Sequence, residues 1–293
     1  ASIGTSSPRP DPPMRLLPLL LIALLPACAA HAPRSAAAPV SEVRTTRDLA
    51  DIGPALAESD RRTLLVLDID DTLLTATGFF GSDRWYEWQA KTLKDGDPDK
   101  VPCLFDVIAL NYEAAEQQPT QADGPALVGA LTVDTVMLTS RNPLYRGGTL
   151  RTLRDAGYAL PAPLGGSADG LSWDFRKAPD APPVRVVYDQ GIFMTSGQDK
   201  GLVLLDLLRR LGLDARYGRV VLVDDGRRNI DNMQAALRGT GIDYLGLHYT
   251  RVDKAVDAAD AQAGRAGWQA WKTLLGRVYP QRLQDFEAGR CAY

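Results

Sequence analysis

The sequence predicts an α/β fold built on a mostly parallel sheet with helices on both faces. Three observations carry this. Short, mainly apolar runs recur at Thr63–Leu67, Thr132–Leu138, Val184–Tyr188, Arg219–Val223 and Tyr244–Leu247. Strands without alternation are buried on both faces, the habit of parallel sheets. Between them lie helical patterns. Lys200–Leu211 carries Leu204, Leu207, Leu208 and Leu211 on one stripe and stops at Gly212; Asn229–Leu237 carries Ile230, Met233 and Leu237 ahead of Gly239. The third is composition: 45% hydrophobic and 24% charged residues in 293 support a real core, in one elaborated domain or two small ones.

Taken in order, residues 1–13 precede Met14 and read as an upstream extension. Met14-Arg15 then opens LLPLLLIALLPACAA, a basic start, an apolar middle and a small-residue end. It falls short of the roughly 20 apolar residues a spanning helix needs, and has the form of a signal segment over 14–28. Leu25-Pro26-Ala27-Cys28 resembles a lipobox whose Cys28 becomes acylated; plain cleavage after Ala29 or Ala32 is the competing reading. Export follows as an expectation, to the periplasmic side of a bacterial envelope, with Cys28 the only membrane contact and its lipid an outer-membrane anchor. HAPRSAAAPVSEV reads as a flexible tether, assigned to 29–45, before a folded domain over 46–293.

Within that domain Thr46–Ser59 is the first helical region, interrupted at Gly53-Pro54. Two stretches break the strand–helix alternation, at about 75–107 and 142–197, the second containing a helix, a Pro/Gly/Asp-rich loop and the hairpin VVYDQGIFMTS. Loops of this length in compact domains are usually functional. Each is short for a large cap domain, so small insertions are expected instead. Near the end, Trp268, Trp271 and Leu275 share a helical face, read as core, and Pro280 breaks that helix.

Several function classes are excluded early. Thirty-three Lys plus Arg against thirty-six Asp plus Glu leave a net charge of −3, which argues against nucleic-acid binding. Three Cys make no disulfide scaffold, and two His without CxxC or HExxH fit no usual zinc arrangement.

The chemistry sits at strand ends. The first strand runs into Asp68-Ile69-Asp70-Asp71-Thr72. Three carboxylates there repel one another and lose hydration unless a cation or protons compensate them. Asp68 and Asp70, two apart, project the same way, toward the carboxyl edge where open α/β sheets bind ligands. Turn and cap chemistry is the bland competitor. A second strand ends at Thr139-Ser140-Arg141, which also reads as a helix cap before Pro143. Lys200 opens the Leu-rich helix, where a cation opposes the dipole unless it faces an anion. A further apolar strand ends in Asp224-Asp225, with Asn229 four residues on.

In the order DxDxT, Thr, Lys, DDxxxN, these motifs resemble the haloacid dehalogenase (HAD) superfamily over Thr63 to Thr250. Asn229 stands where many members have Asp, and Asp71 where many have Gly. The flanks FFGSDRWYEWQ and GIFMTSGQDKG look like an uncharacterised bacterial group of exported HAD-like proteins. The Asp-rich motifs, the Trp-Gln pair and the lipobox are also similar to class C acid phosphatases.

The resemblance implies a HAD-like (Rossmannoid) fold and Mg²⁺-dependent hydrolysis of a small phosphorylated substrate through an aspartyl-phosphate. It makes Asp68 the nucleophile and Asp70 the general acid/base. Mg²⁺ would be held by Asp68, the main-chain carbonyl of Asp70 and Asp225, with Asp224 either a further metal contact or the orienter of Lys200. Thr139 and Lys200 would hold the phosphoryl group. Thr72, Ser140 and Arg141 are expected beside the substrate. Trp85, with Tyr86 and Trp88, is expected as a stacking wall, the insertion's own core being the competing reading. A phosphotransferase and a non-enzymatic envelope binding or scaffolding protein on the same fold are the alternatives. In an exported chain Cys103 and Cys291 meet an oxidising compartment in which they are able to pair.

Overall fold

The computed structural model describes residues 1, 4, 39–166 and 170–292. The upstream extension beyond Ala1 and Gly4, the signal segment, Cys28 and the tether up to 38 lie outside the described residues. Every element below belongs to one unit, Ala38–Tyr293.

Ten strands alternate with nine helices among the described residues. The strands are β1 (Ser41–Thr46), β2 (Thr63–Leu67), β3 (Leu74–Ala76), β4 (Gln117–Pro119), β5 (Asp134–Thr139), β6 (Leu171–Phe175), β7 (Val184–Asp189), β8 (Ile192–Met194), β9 (Arg219–Asp224) and β10 (Asp243–Tyr249). The helices are α1 (Ile52–Ala57), α2 (Asp83–Glu87), α3 (Leu104–Ala114), α4 (Gly124–Gly129), α5 (Arg146–Asp155), α6 (Lys200–Arg210), α7 (Arg227–Leu237), α8 (Ala258–Val278) and α9 (Pro280–Glu287). Eight strands form one sheet in the order β1-β10-β9-β2-β5-β8-β7-β6, parallel from β1 to β8 and antiparallel at β7 and β6.

The period-2 geometry of a strand explains why β2 and β9 are apolar throughout. Leu64, Val66, Val220 and Leu222 point to one face, against Leu204, Leu207 and Leu208 of α6 and Ile230 and Met233 of α7. Leu65, Leu67, Val221 and Val223 point to the other, against Ile52 of α1 and Leu153 of α5. With both faces covered, the catalytic candidates are left the strand ends.

Two boundaries differ from expectation. The tether assigned up to 45 ends earlier, because Ser41–Thr46 adds β1 to the sheet edge alongside β10. An edge strand buries little, so SEVRTT carries no apolar run to announce it. The second stretch, 142–197, does not stand apart from the sheet. Within it α5 covers one face, while β6, β7 and β8 continue the sheet, the last two joined by the expected hairpin. Its two-residue turn places Gln190 at φ 49° and Gly191 at φ 75°, the left-handed pair that a tight hairpin requires.

The first insertion runs further than 107. The antiparallel pair β3–β4 brackets it, and α2, a π-helical turn at Trp88–Thr92 and α3 lie between. Its apolar core is completed by the end of the chain. Phe79, Trp85, Trp88, Val107 and Ile108 bury against Leu275 of α8 and Phe286 of α9, with Trp268 and Trp271 half-buried at the margin. A Cys103–Cys291 disulfide, with Cα atoms 5.1 Å apart, ties the two together. Pro280 sits at the start of α9, where its missing N–H costs nothing.

Candidate active site

Asp68 follows β2 directly, and its backbone N–H donates to Val223 O of β9 at 3.0 Å, locking the two strand ends together. The chain then turns sharply. The N–H groups of Leu73 and Leu74 both donate to Ile69 O, and Asp71 takes a left-handed φ of 53°. Thr72, fully buried, joins the two acidic motifs: its hydroxyl donates to Asp68 Oδ2 at 3.2 Å and accepts the Asp225 N–H at 3.0 Å. Thr72, expected beside the substrate, has its hydroxyl engaged in joining these two motifs.

Lys200 explains its unfavourable place in the first turn of α6. Asp199 caps that helix, accepting from Gly201 N and Leu202 N at 3.0 Å each. Gly201 packs where a Cβ would come within 2.9 Å of Asn232 O on α7, so α6 sits close against its neighbour. Lys200, only 1% exposed, then lays its Nζ between Asp68 Oδ1 at 2.5 Å and Asp224 Oδ2 at 2.6 Å. Asp224 orients Lys200, one of the two roles expected for it, and an oxygen of Asp224 also lies in the acidic cluster with Asp68 and Asp225. Its Oδ1 accepts from Gly226 N at 2.8 Å and Asn229 Nδ2 at 2.9 Å. Asn229 thus serves as a donor where an Asp would add another charge.

Thr139, buried at the end of β5, accepts the Arg141 N–H on its hydroxyl at 3.1 Å, and Ser140 beside it is exposed. Arg141, expected beside the substrate, is committed to Asp70. It is 3% exposed and grips Asp70, with NH2 at 2.7 Å from Oδ1 and Nε at 3.0 Å from Oδ2. Its remaining hydrogens reach Thr149 Oγ1 and Gln117 Oε1 at 3.0 Å each, and the guanidinium lies 4.1 Å above the Tyr112 ring. The Tyr112 hydroxyl donates to Asp70 as well, at 3.3 Å. Burial pushes the Asp70 carboxyl up, but the Arg141 charge and hydrogen bonds outweigh it and hold Asp70 below the ordinary range.

Of the two places expected for Trp85, a stacking wall and the insertion's own core, it occupies the core. It is fully buried, edge-on to Phe80 with ring centres 4.8 Å apart, and belongs to the core of the helical layer. Three aromatic residues within four positions, Trp85, Tyr86 and Trp88, carry no mark that separates an exposed wall from a core.

Two residues missed by motif reading complete the site. Lys254, in the segment after β10, donates to Asp71 Oδ2 at 2.5 Å and Asp83 Oδ2 at 2.8 Å, and pairs with Asp225 Oδ2 at 2.8 Å. Asp83 comes from the first turn of α2, in the insertion. Asp71 thus shares with Asp83 and Asp225 a cation that lies more than 180 residues away from it in sequence.

Six carboxylates, of Asp68, Asp70, Asp71, Asp83, Asp224 and Asp225, face three cationic side chains, Arg141, Lys200 and Lys254. The shortage of positive charge shows in the acids. Burial, then the charges of Asp224, Asp225 and Asp70, push Asp68 well up against the pull of Lys200. Burial likewise raises Asp225 to about 7 and Asp83 to about 6, in each case against Lys254. One oxygen each from Asp68, Asp224 and Asp225 lie within 4.8 Å of one another. An all-oxygen donor set short of positive charge suits a hard divalent cation such as Mg²⁺.

A family model described as "Protein of unknown function (DUF2608)" matches residues 45–278. No curated protein matches the chain in sequence. Among solved structures, the chain is similar to the class C acid phosphatase from Bacillus anthracis at 14% identity, covering 75% of this chain and 84% of that one with a TM-score of 0.36. The same organism's class C acid phosphatase with tungstate bound gives 17% identity, 73% and 83% coverage, and a TM-score of 0.33.

Proposed function

The chain belongs to the DUF2608 family, and we propose that this member hydrolyses phosphomonoesters as a HAD-type phosphatase. The observation that carries the reading is the Lys200 ammonium clamped between Asp68 and Asp224 at the carboxyl ends of β2 and β9, with Asp225 alongside. A buried carboxylate whose charge is offset by a fixed lysine, beside an acid pair suited to a divalent ion, is built to receive a phosphoryl group.

Asp68, oriented by Lys200 on one oxygen and Thr72 on the other, attacks phosphorus while Asp70 gives a proton to the departing alkoxide oxygen, leaving an acyl phosphate on Asp68 and a free alcohol. Thr139, whose hydroxyl oxygen already accepts from Arg141 N–H, keeps its proton to donate to a phosphoryl oxygen. Asp70, ionised once it has given up that proton and paired with Arg141 at 2.7 Å, then takes the proton of the water that attacks phosphorus. Mg²⁺ would be held by Asp68, Asp225 and the main-chain carbonyl of Asp70, with Asp224 adjoining, and when bound it supplies charge neutralisation at the phosphoryl oxygens. The substrate is a small phosphorylated molecule.

A panel of phosphomonoesters including p-nitrophenyl phosphate, run with Mg²⁺ and with EDTA, tests this. Turnover is expected with Mg²⁺ and loss of most of it with EDTA; beryllium fluoride, a phosphoryl mimic, is expected to bind and compete. No turnover on the whole panel together with no fluoride complex overturns the reading.

We further propose export across a bacterial inner membrane, with acylation at Cys28. Membership of the exported HAD-like group is part of the same reading. The Cys103–Cys291 bond supports it, since such bonds persist in oxidising compartments. Intact mass of the protein recovered from the envelope is expected to show a lipid-bearing N-terminal Cys28 and a mass two hydrogen atoms below the dithiol form. An unacylated chain that retains residues 14–28 sinks this part.

A further inference from the structure

Lys254 belongs to no motif, yet it is the most fully used cation of the site. An ammonium has three protons and no acceptor. Here three carboxylates from three parts of the chain take them: Asp71 after β2, Asp83 in the insertion and Asp225 after β9, at 2.5, 2.8 and 2.8 Å. Asp225 is shared. One of its oxygens meets Asp68 and Asp224 within 4.8 Å, and it also meets Asp71 and Asp83 within the same distance. The segment carrying Lys254 is held in place as well. Arg84 donates to Ala255 O and pairs with Asp260, and Asp257 and Asp260 form a capping box at the start of α8.

We propose that Lys254 is a resident counter-cation that sets the divalent-metal affinity of the Asp68–Asp224–Asp225 cluster. It does so by holding one oxygen of Asp225 and by offsetting the charge of Asp71 and Asp83. A metal ion arriving at Asp225 meets a carboxylate already committed to an ammonium and repelled by it at close range. The ammonium therefore weakens metal binding, and in return keeps the cluster and the helical layer together when no metal is bound. This inference rests on the metal reading of the proposed function.

The test is calorimetric titration of the purified protein with Mg²⁺ and with Mn²⁺, beside melting temperature with and without the ion. Lys254→Met is expected to bind the ion tighter by about tenfold or more, as one fewer positive charge beside Asp225 dictates. Its melting temperature without metal is expected to fall, and to recover more on metal addition than that of the unaltered protein. Lys254→Arg keeps the charge and is expected within about twofold of the original affinity, well under the tenfold that 1.4 kcal/mol represents. Should Lys254→Met fail to fold, Lys254→Gln, which retains two N–H donors for the carboxylates, carries the same comparison.

A folded Lys254→Met or Lys254→Gln with unchanged affinity overturns the proposal, as does a Lys254→Arg that shifts it equally. Absence of any Mg²⁺ or Mn²⁺ binding by the unaltered protein removes the metal reading itself, and this inference with it.

Discussion

Asp68→Asn is expected to lower phosphomonoester turnover by about four orders of magnitude or more, as loss of a nucleophile does elsewhere, while leaving the fold intact. The amide has the shape of the carboxylate but cannot form the acyl phosphate. Lys200 keeps its second partner, Asp224 at 2.6 Å, so the cation stays buried in company. The change also removes a buried negative charge from among Asp70, Asp224 and Asp225, which all push against it. The melting temperature without metal is therefore expected to match or exceed that of the unaltered protein. Turnover of p-nitrophenyl phosphate by Asp68→Asn at near the original rate would falsify the assignment.

Lys200→Met is expected to destabilise the protein by about 3–5 kcal/mol, the usual cost of removing one partner from a buried ion pair. The reason is specific. Asp68 and Asp224 are 4% and 0% exposed, and without the ammonium two carboxylates face each other with no water to separate them. Urea denaturation reads the loss, and turnover is expected to vanish with it. Two further measurements separate this account from simple disruption of α6. Millimolar Mg²⁺ is expected to restore part of the stability of Lys200→Met, and the substitution is expected to cost less in an Asp68→Asn background, because one of the two stranded charges is gone. Equal cost in both backgrounds contradicts the clamp.

The parts of the site legible in the sequence are those whose spacing is local. Asp68 and Asp70 share a strand end, Asp224 and Asp225 another, and Lys200 stands where a helix dislikes it; each departs from ordinary local chemistry. Lys254 and Asp83 give no such signal. Asp83 opens a helix beside Arg84, Lys254 follows Asp253 in the segment after β10, and only the fold brings the two to Asp71. Arg141 was visible but its partner was not, since Asp70 lies 71 residues away and an Arg after a Thr-Ser strand end reads equally well as a phosphate contact. In the sheet, buried strands such as β2 and β9 announce themselves by unbroken apolar runs. The edge strands β1 and β6 do not, because SEVRTT and LSWDF bury one side at most. The helical layer was hidden for another reason: its core is shared between two segments, 79–108 and 275–286, neither of which carries enough apolar surface to declare a layer by itself.

The strand order has a consequence for how the molecule comes into being. In the sheet Thr63 lies beside Arg219 and Ser41 beside Tyr244, so the central strand and the first strand both await neighbours made late in synthesis. At 5–20 residues per second, the wholly apolar β2 spends roughly 8–30 s on the ribosome or just off it before β9 exists to pair with it. Bringing such distant segments together also incurs the loop-closure entropy that slows folding of non-local topologies. The nascent chain thus carries a sticky, incomplete sheet for most of its translation, and that interval, more than the finished protein, is where a holding chaperone would find its client.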